Sequence, residues 1–126
     1  MTNPEHERAR ALEQHKAGDL EAAEAVYRGL LAANPEDGRT CGLLGLMRLQ
    51  QGRAPEAREL LERACRLVPE EAKHHNNLGN ALKKRGNQKQ AEASYREAVR
   101  LNPGYAMAHL NLARLRLERG DAAEAE

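Results

Sequence analysis

The chemically richest stretch of this chain is "AKHHNNLGN", Ala72 to Asn80, where two histidines adjoin two asparagines. Histidines at such spacing raise the question of a metal ion or a proton-transfer pair. Neighbours on a helix point about 100° apart, so His74 and His75 do not grip one ion as an i, i+4 pair would. No cysteine or carboxylate completes a ligand set at a useful spacing, and His6 and His15 stand alone. A metal site is not expected. Ser94 is the sole serine and no histidine is placed to activate it. The glycines do not form a GxxxxGK[ST] phosphate loop. Cys41 and Cys65 form no CxxC motif, which suggests reduced thiols in a cytoplasmic protein. The expectation is a chain without catalytic residues, metal or cofactor.

The elements that position these residues follow from composition. The 126 residues include no phenylalanine or tryptophan and three tyrosines, Tyr27, Tyr95 and Tyr105. Alanine and leucine must fill the interior, which suits closely approaching helices better than a thick β-sandwich. The net charge is +1, so bulk charge points to neither nucleic acid nor membrane. Lys73, Lys83, Lys84, Arg85 and Lys89 are basic enough to touch nucleic acid, but aromatics to stack bases are missing and the first unit is acidic. Nucleic acid is therefore not an expected partner. The start, "MTNPEHERAR", has no apolar run, and no stretch is long enough to span a membrane.

A repeat organises the chain. Gly18, Gly52, Gly86 and Gly120 are each 34 residues apart, as are Ala23, Ala57, Ala91 and Ala125, and Pro35, Pro69 and Pro103. The register gives one array over 1–126 with units 4–37, 38–71, 72–105 and a shortened 106–126. Each full unit reads as two helices. Helix A ends at the glycine, through the positive φ that other residues resist. Helix B starts just after it and ends before the proline. Asp19, Asn87 and Asp121 stand where N-caps belong, with capping-box spacing at Asn87/Gln90 and Asp121/Glu124; Pro55 is expected to start the second unit's helix B. Ala11, Gly45, Gly79 and Ala113 share a column of small residues for close helix approach. Leu44, Leu78 and Leu112, and likewise Tyr27, Leu61 and Tyr95, form core columns.

This pattern resembles the tetratricopeptide repeat. Its columns appear in "NNLGNAL" and "CGLLGLM", in the turn glycine, in "AEASYREA", and in the closing "RLNP". The resemblance covers essentially the whole chain. It implies an all-α, right-handed α-solenoid of antiparallel helix pairs whose helix A residues line a concave surface. It also implies a scaffold that binds a peptide or partner protein rather than an enzyme. An aromatic common early in helix A is replaced by Glu7, Cys41, His75 and His109, so the two histidines read as packing residues between repeats. Arg10 stands where the later units have leucine, as suits a polar N-terminal cap.

By that resemblance the second unit presents Leu43, Leu46 and Leu49 to the groove, with Gly42 leaving room beside them. The third presents Lys73, Asn76, Asn77, Asn80, Lys83 and Lys84, and the fourth Asn111 and Arg114. Asparagine amides donate and accept, so they suit an extended peptide backbone, as in the arrays attached to O-linked sugar transferases; they equally suit a solvated polar face. The carboxylate clamp of chaperone-binding members is incomplete: Arg8 and Lys73 occupy its basic positions, while Leu12 and Leu43 replace its asparagines. Binding of heat-shock chaperone tails is not expected. The expected ligand is a peptide with an apolar anchor followed by acidic residues. Met107, Leu110, Leu112, Leu115 and Leu117 crowd the last helix A, so dimerisation through 106–126 is a further expectation. Two alternatives stay open: a substrate-positioning segment of a larger glycosyltransferase or sulfotransferase chain, and a self-association module.

Overall fold

The computed structural model describes residues 3–120. Among them every regular element is an α-helix: α1 (Pro4–Lys16), α2 (Leu20–Ala33), α3 (Gly38–Gln50), α4 (Ala54–Leu67), α5 (Ala72–Lys84), α6 (Gln88–Leu101) and α7 (Ala106–Glu118). Each helix packs on the next in sequence, and α1, α3, α5 and α7 also touch in succession. The odd-numbered helices therefore form one layer and the even-numbered helices flank it. No helix among the described residues is long and apolar enough to cross a membrane.

The turns inside each pair follow from backbone chemistry. Gly52 and Gly86 adopt φ of +77° and +84°. The residue after each sends its N–H five residues back, Arg53 to the Arg48 carbonyl (2.8 Å) and Asn87 to that of Leu82 (2.9 Å). That bond closes the frayed helix end and reverses the chain. Pro55 lies in the first turn of α4, where its missing N–H costs nothing. Asn3 caps α1 by accepting from the Glu5 N–H at 2.8 Å, and Asp37 caps α3 by accepting from that of Thr40 at 3.2 Å.

The expected caps at Asp19 and Asn87 need correcting. Both hold the N-cap position, yet neither side chain bonds a backbone N–H. Both follow a glycine of positive φ, with ψ angles of 72° and 68°. Asn87 instead donates to Gln90 Oε1 at 3.3 Å. Asp121, Glu124 and Ala125 lie outside the described residues.

Small residues set the seams. Ala23, Ala57 and Ala91 are wholly buried, as are Tyr27, Leu61 and Tyr95. A Cβ on Gly45 would lie 2.8 Å from Leu61 Cγ, and one on Gly79 2.5 Å from Tyr95 Cε1, so these helices touch where no side chain fits. Burying each large side chain is worth about 1.5–3 kcal/mol. The tyrosine hydroxyls need partners: Tyr95 donates to Asn80 Oδ1 at 2.6 Å, and Tyr27 meets His15 Nδ1 at 3.3 Å. The other nitrogen of His15 meets Gln50 Oε1 at 2.6 Å and so links α1 to α3.

The histidine column departs from expectation. His75 and His109 are not packing residues; their Nε2 atoms bond the carbonyls of Pro69 (2.9 Å) and Pro103 (2.7 Å) at the bend before their own helices. Those carbonyls lie just past the ends of α4 and α6, outside the helical ladders, and the imidazoles bond them. Of the adjacent pair the buried one is His74, 7% exposed.

Candidate functional site: a leucine-floored cleft across α1, α3 and α5

A cleft of about 400 Å³ opens on the layer of odd-numbered helices, with Arg8, Leu12 and Lys16 from α1, Leu43 and Leu46 from α3, and Lys73 and Asn77 from α5 among its walls. Its position follows from the repeat. One turn of helix A per unit offers a residue to this layer, and successive units set those turns side by side. Leu12 and Leu46 share a register one repeat apart, so the apolar floor is a column read across two helices.

The polar side is largely spoken for. Arg8 Nη2 lies 3.2 and 3.1 Å from the two oxygens of Asp37, and its Nε donates to Thr40 Oγ1 at 3.1 Å. Thr40 in turn donates its hydroxyl to Asp37 at 2.6 Å. Burial works against the Asp37 carboxylate, but the bonds from Thr40 and Arg8 outweigh it and hold its pKa below the usual range. Arg39 faces Glu71 at 3.8 Å. Lys16, Lys73 and Asn77 have no ionic or hydrogen-bonding partner among the described residues. They are the groups with free valence at the cleft.

The site expected from sequence is thus only partly assembled. Leu43, Leu46, Lys73 and Asn77 line the cleft; Leu12, Lys16 and Arg39 join them. Leu49 does not. It is 8% exposed and packs with Ala57, Leu61 and Ala81. Asn76 is 2% exposed and accepts from Asn111 Nδ2 at 3.0 Å, so both amides tie α5 to α7. Asn80 is committed to Tyr95, and Lys83 to Glu118 at 2.7 Å. Lys84 and Arg114 are exposed, off the cleft. Nor does Gly42 leave room: the His74 ring fills it, with Nε2 2.4 Å from where a Cβ would stand. Burial pushes the His74 pKa down, against the pull of Glu71, and its Nδ1 is buried without a bond. Leu12 was findable from the Leu46 column, and Lys16 from the column it shares with Lys84.

Among the described residues no three His, Cys, Asp or Glu side chains converge as a metal would require. Both cysteines are free, and burial pushes Cys65 up to about 12 and Cys41 in the same direction, so neither is a thiolate near neutrality.

Solved structures share this architecture. An O-GlcNAc transferase mutant of Thermobaculum terrenum superposes with a TM-score of 0.86 at 32% identity, over 92% of this chain and 23% of the other. The present chain thus spans under a quarter of that enzyme's length. The first TPR domain of Spaghetti (RPAP3), bound to an HSP90 peptide, gives 0.86 at 15% identity over 93% of each chain. The Yersinia enterocolitica type III secretion chaperone SycD, in complex with a peptide of the translocator YopD, gives 0.79 at 20% over 91% of this chain and 93% of the other. At such identities the last two likenesses are of fold. No curated protein sequence matches. Tetratricopeptide repeat models match residues 8–72, 72–105 and 94–126. With its helix pairs, turn glycines and small-residue seams in that register, the chain belongs to the tetratricopeptide repeat family.

Proposed function

We propose that the chain is a non-catalytic protein-interaction scaffold that holds an extended peptide in the cleft across α1, α3 and α5. The observation that carries this reading is the cleft itself: an apolar floor of Leu12, Leu43 and Leu46 beside a free amide, Asn77, and free ammonium groups on Lys16 and Lys73. An amide that both donates and accepts suits a main chain, and a leucine floor suits an apolar side chain. Neighbours of the same fold are seen with peptides bound. The apolar-then-acidic ligand keeps Leu43, Leu46, Lys73 and Asn77 as its support. The unpaired thiols fit a cytoplasmic setting. Selection of peptides from a displayed random library, followed by chemical-shift mapping, tests the reading: perturbations should centre on Leu43, Leu46 and Asn77. Perturbations confined to α2, α4 and α6 would refute it.

A second reading has its own support. The 32% identity to the transferase, over 92% of this chain, favours a substrate-positioning segment of a larger glycosyltransferase. Extending the gene sequence beyond the codon for Glu126 checks it. Self-association is the third: Met107, Leu110 and Leu117 on α7 are exposed. Sedimentation at rising concentration should show a dimer that Leu110→Asp abolishes.

A further inference from the structure

We infer that the cleft takes an internal stretch of a partner's chain, one bulky apolar side chain with carboxylates on both sides of it, rather than a chain terminus. The inference rests on the peptide-binding reading above and narrows it. The floor formed by Leu12, Leu43 and Leu46 offers no hydrogen bond. A terminal carboxylate seated there would lose its water without replacement. Two guanidinium groups line the cleft: Arg39 is exposed and faces Glu71 at 3.8 Å, and Arg8 is spent. Its three contacts go to Asp37 and Thr40, and the Asp37 side chain is only 9% exposed. Diverting Arg8 to a ligand would strand that carboxylate.

The cations that remain stand apart. Lys16 closes α1 and Lys73 opens α5, while the leucines Leu43 and Leu46 belong to α3, which packs between those two helices. A segment laid over α3 therefore has an ammonium on each flank, and neither ammonium is drawn off by a partner among the described residues. Carboxylates on both sides of the anchor meet this layout; carboxylates on one side meet half of it. Asn77, beside the floor, pairs with the main chain between them. Both lysines are exposed, so they steer and orient more than they bind tightly.

The test uses the whole chain and short fluorescent peptides read by anisotropy. One peptide carries a central leucine between glutamate pairs and is acetylated and amidated. A second has lysines for the glutamates. A third places the leucine at a free C-terminus behind the same glutamates. The first should bind, the second should not, and the third should bind more weakly than the first. Leu46→Asp should weaken the first by at least about tenfold. Lys16→Glu and Lys73→Glu should each weaken it by about three- to tenfold and flatten its salt dependence. The lysines are exposed, so those two variants keep the test valid if Leu46→Asp unfolds, which circular dichroism reports. Binding of the third peptide but not the first overturns the inference. So do library-selected ligands that depend on Leu46 and are neutral or basic; either result leaves the groove reading standing. Ligands indifferent to Leu46→Asp and Lys73→Glu overturn both.

Discussion

Where α3 settles onto α2, the buried position is Arg48, 2% exposed, with both Nη atoms on Glu24 (3.1 and 2.8 Å) and its Nε 3.4 Å from Glu56. One repeat later the same register on α5 holds Leu82, 4% exposed, packed with Ala91 and Tyr95 of α6 and Leu115 of α7. Glu24's counterpart on α4 is Arg58, which pairs along its own helix with Glu62 at 3.1 Å. At the next junction the ionic form returns, with Arg116 3.7 Å from Glu92 and Arg119 also bonded to it. One seat thus accepts two chemistries. The repeat dictates its shape, while charge or apolarity is left to each pair. The ionic version carries a desolvation cost and a pH dependence that the leucine version lacks.

Four changes break or sharpen that contrast. The largest loss is expected from Leu82→Ala, about 2–4 kcal/mol, because a void opens among Ala91, Tyr95 and Leu115. Chemical denaturation measures it, and a loss below that of Arg48→Ala would upset the ordering of the two positions. Ala91→Leu should cost about 1–3 kcal/mol by overpacking the seam beneath Leu82. An unchanged melting curve would contradict the burial of Ala91.

At the ionic junction, Arg48→Ala should cost about 1–3 kcal/mol, less than a fully buried pair would, since Glu24 keeps Arg28 at 2.7 Å and is 26% exposed. Arg48→Met should stay within about 1 kcal/mol of the parent, as the buried leucine in the same register one repeat later implies. Equal losses for the two substitutions would show that charge, not volume, holds α3 in place.

The smallest effect is acid sensitivity. Hydrogen bonds from Arg48, then Arg28, lower Glu24 from 4.5 to about 2. A depressed carboxylate stabilises the fold above its unfolded value and loses that contribution as pH falls through the folded one. The α2–α3 junction should therefore weaken between pH 4.5 and about 2. Amide exchange should speed up there before it does at α4–α5, and Arg48→Met should remove the difference.

How far the sequence was legible follows the same division. Columns at 34-residue spacing exposed the helix pairs, the turn glycines and the buried Tyr27, Leu61 and Tyr95, because one backbone geometry recurs. Partners across columns stayed hidden. Asn76 and Asn77 are adjacent, yet one bonds Asn111 in the next pair and the other faces the cleft. Likewise His74 is buried beside Gly42 while His75 bonds a carbonyl. A one-residue step turns a helical side chain by about 100°, and a column names a direction without naming what lies there. Leu49 shows the limit: it shares a column with His15, Lys83 and Leu117, yet it is buried with Ala81 of the following pair while Leu117 is exposed.

The glycines of this array constrain drift in two unlike ways. Around Gly52 a Cβ would meet nothing within 4 Å, and only φ of +77° excludes other residues. Its requirement is one of handedness, which asparagine partly satisfies, so Gly52→Asn is a passable step for a diverging lineage. At Gly79 the backbone is ordinary helix and the Tyr95 ring stands 2.5 Å from the missing carbon. Its requirement is one of size, and no other residue meets it while Tyr95 remains. Turns of this kind can wander one substitution at a time, whereas the seam can change only when both of its sides change together.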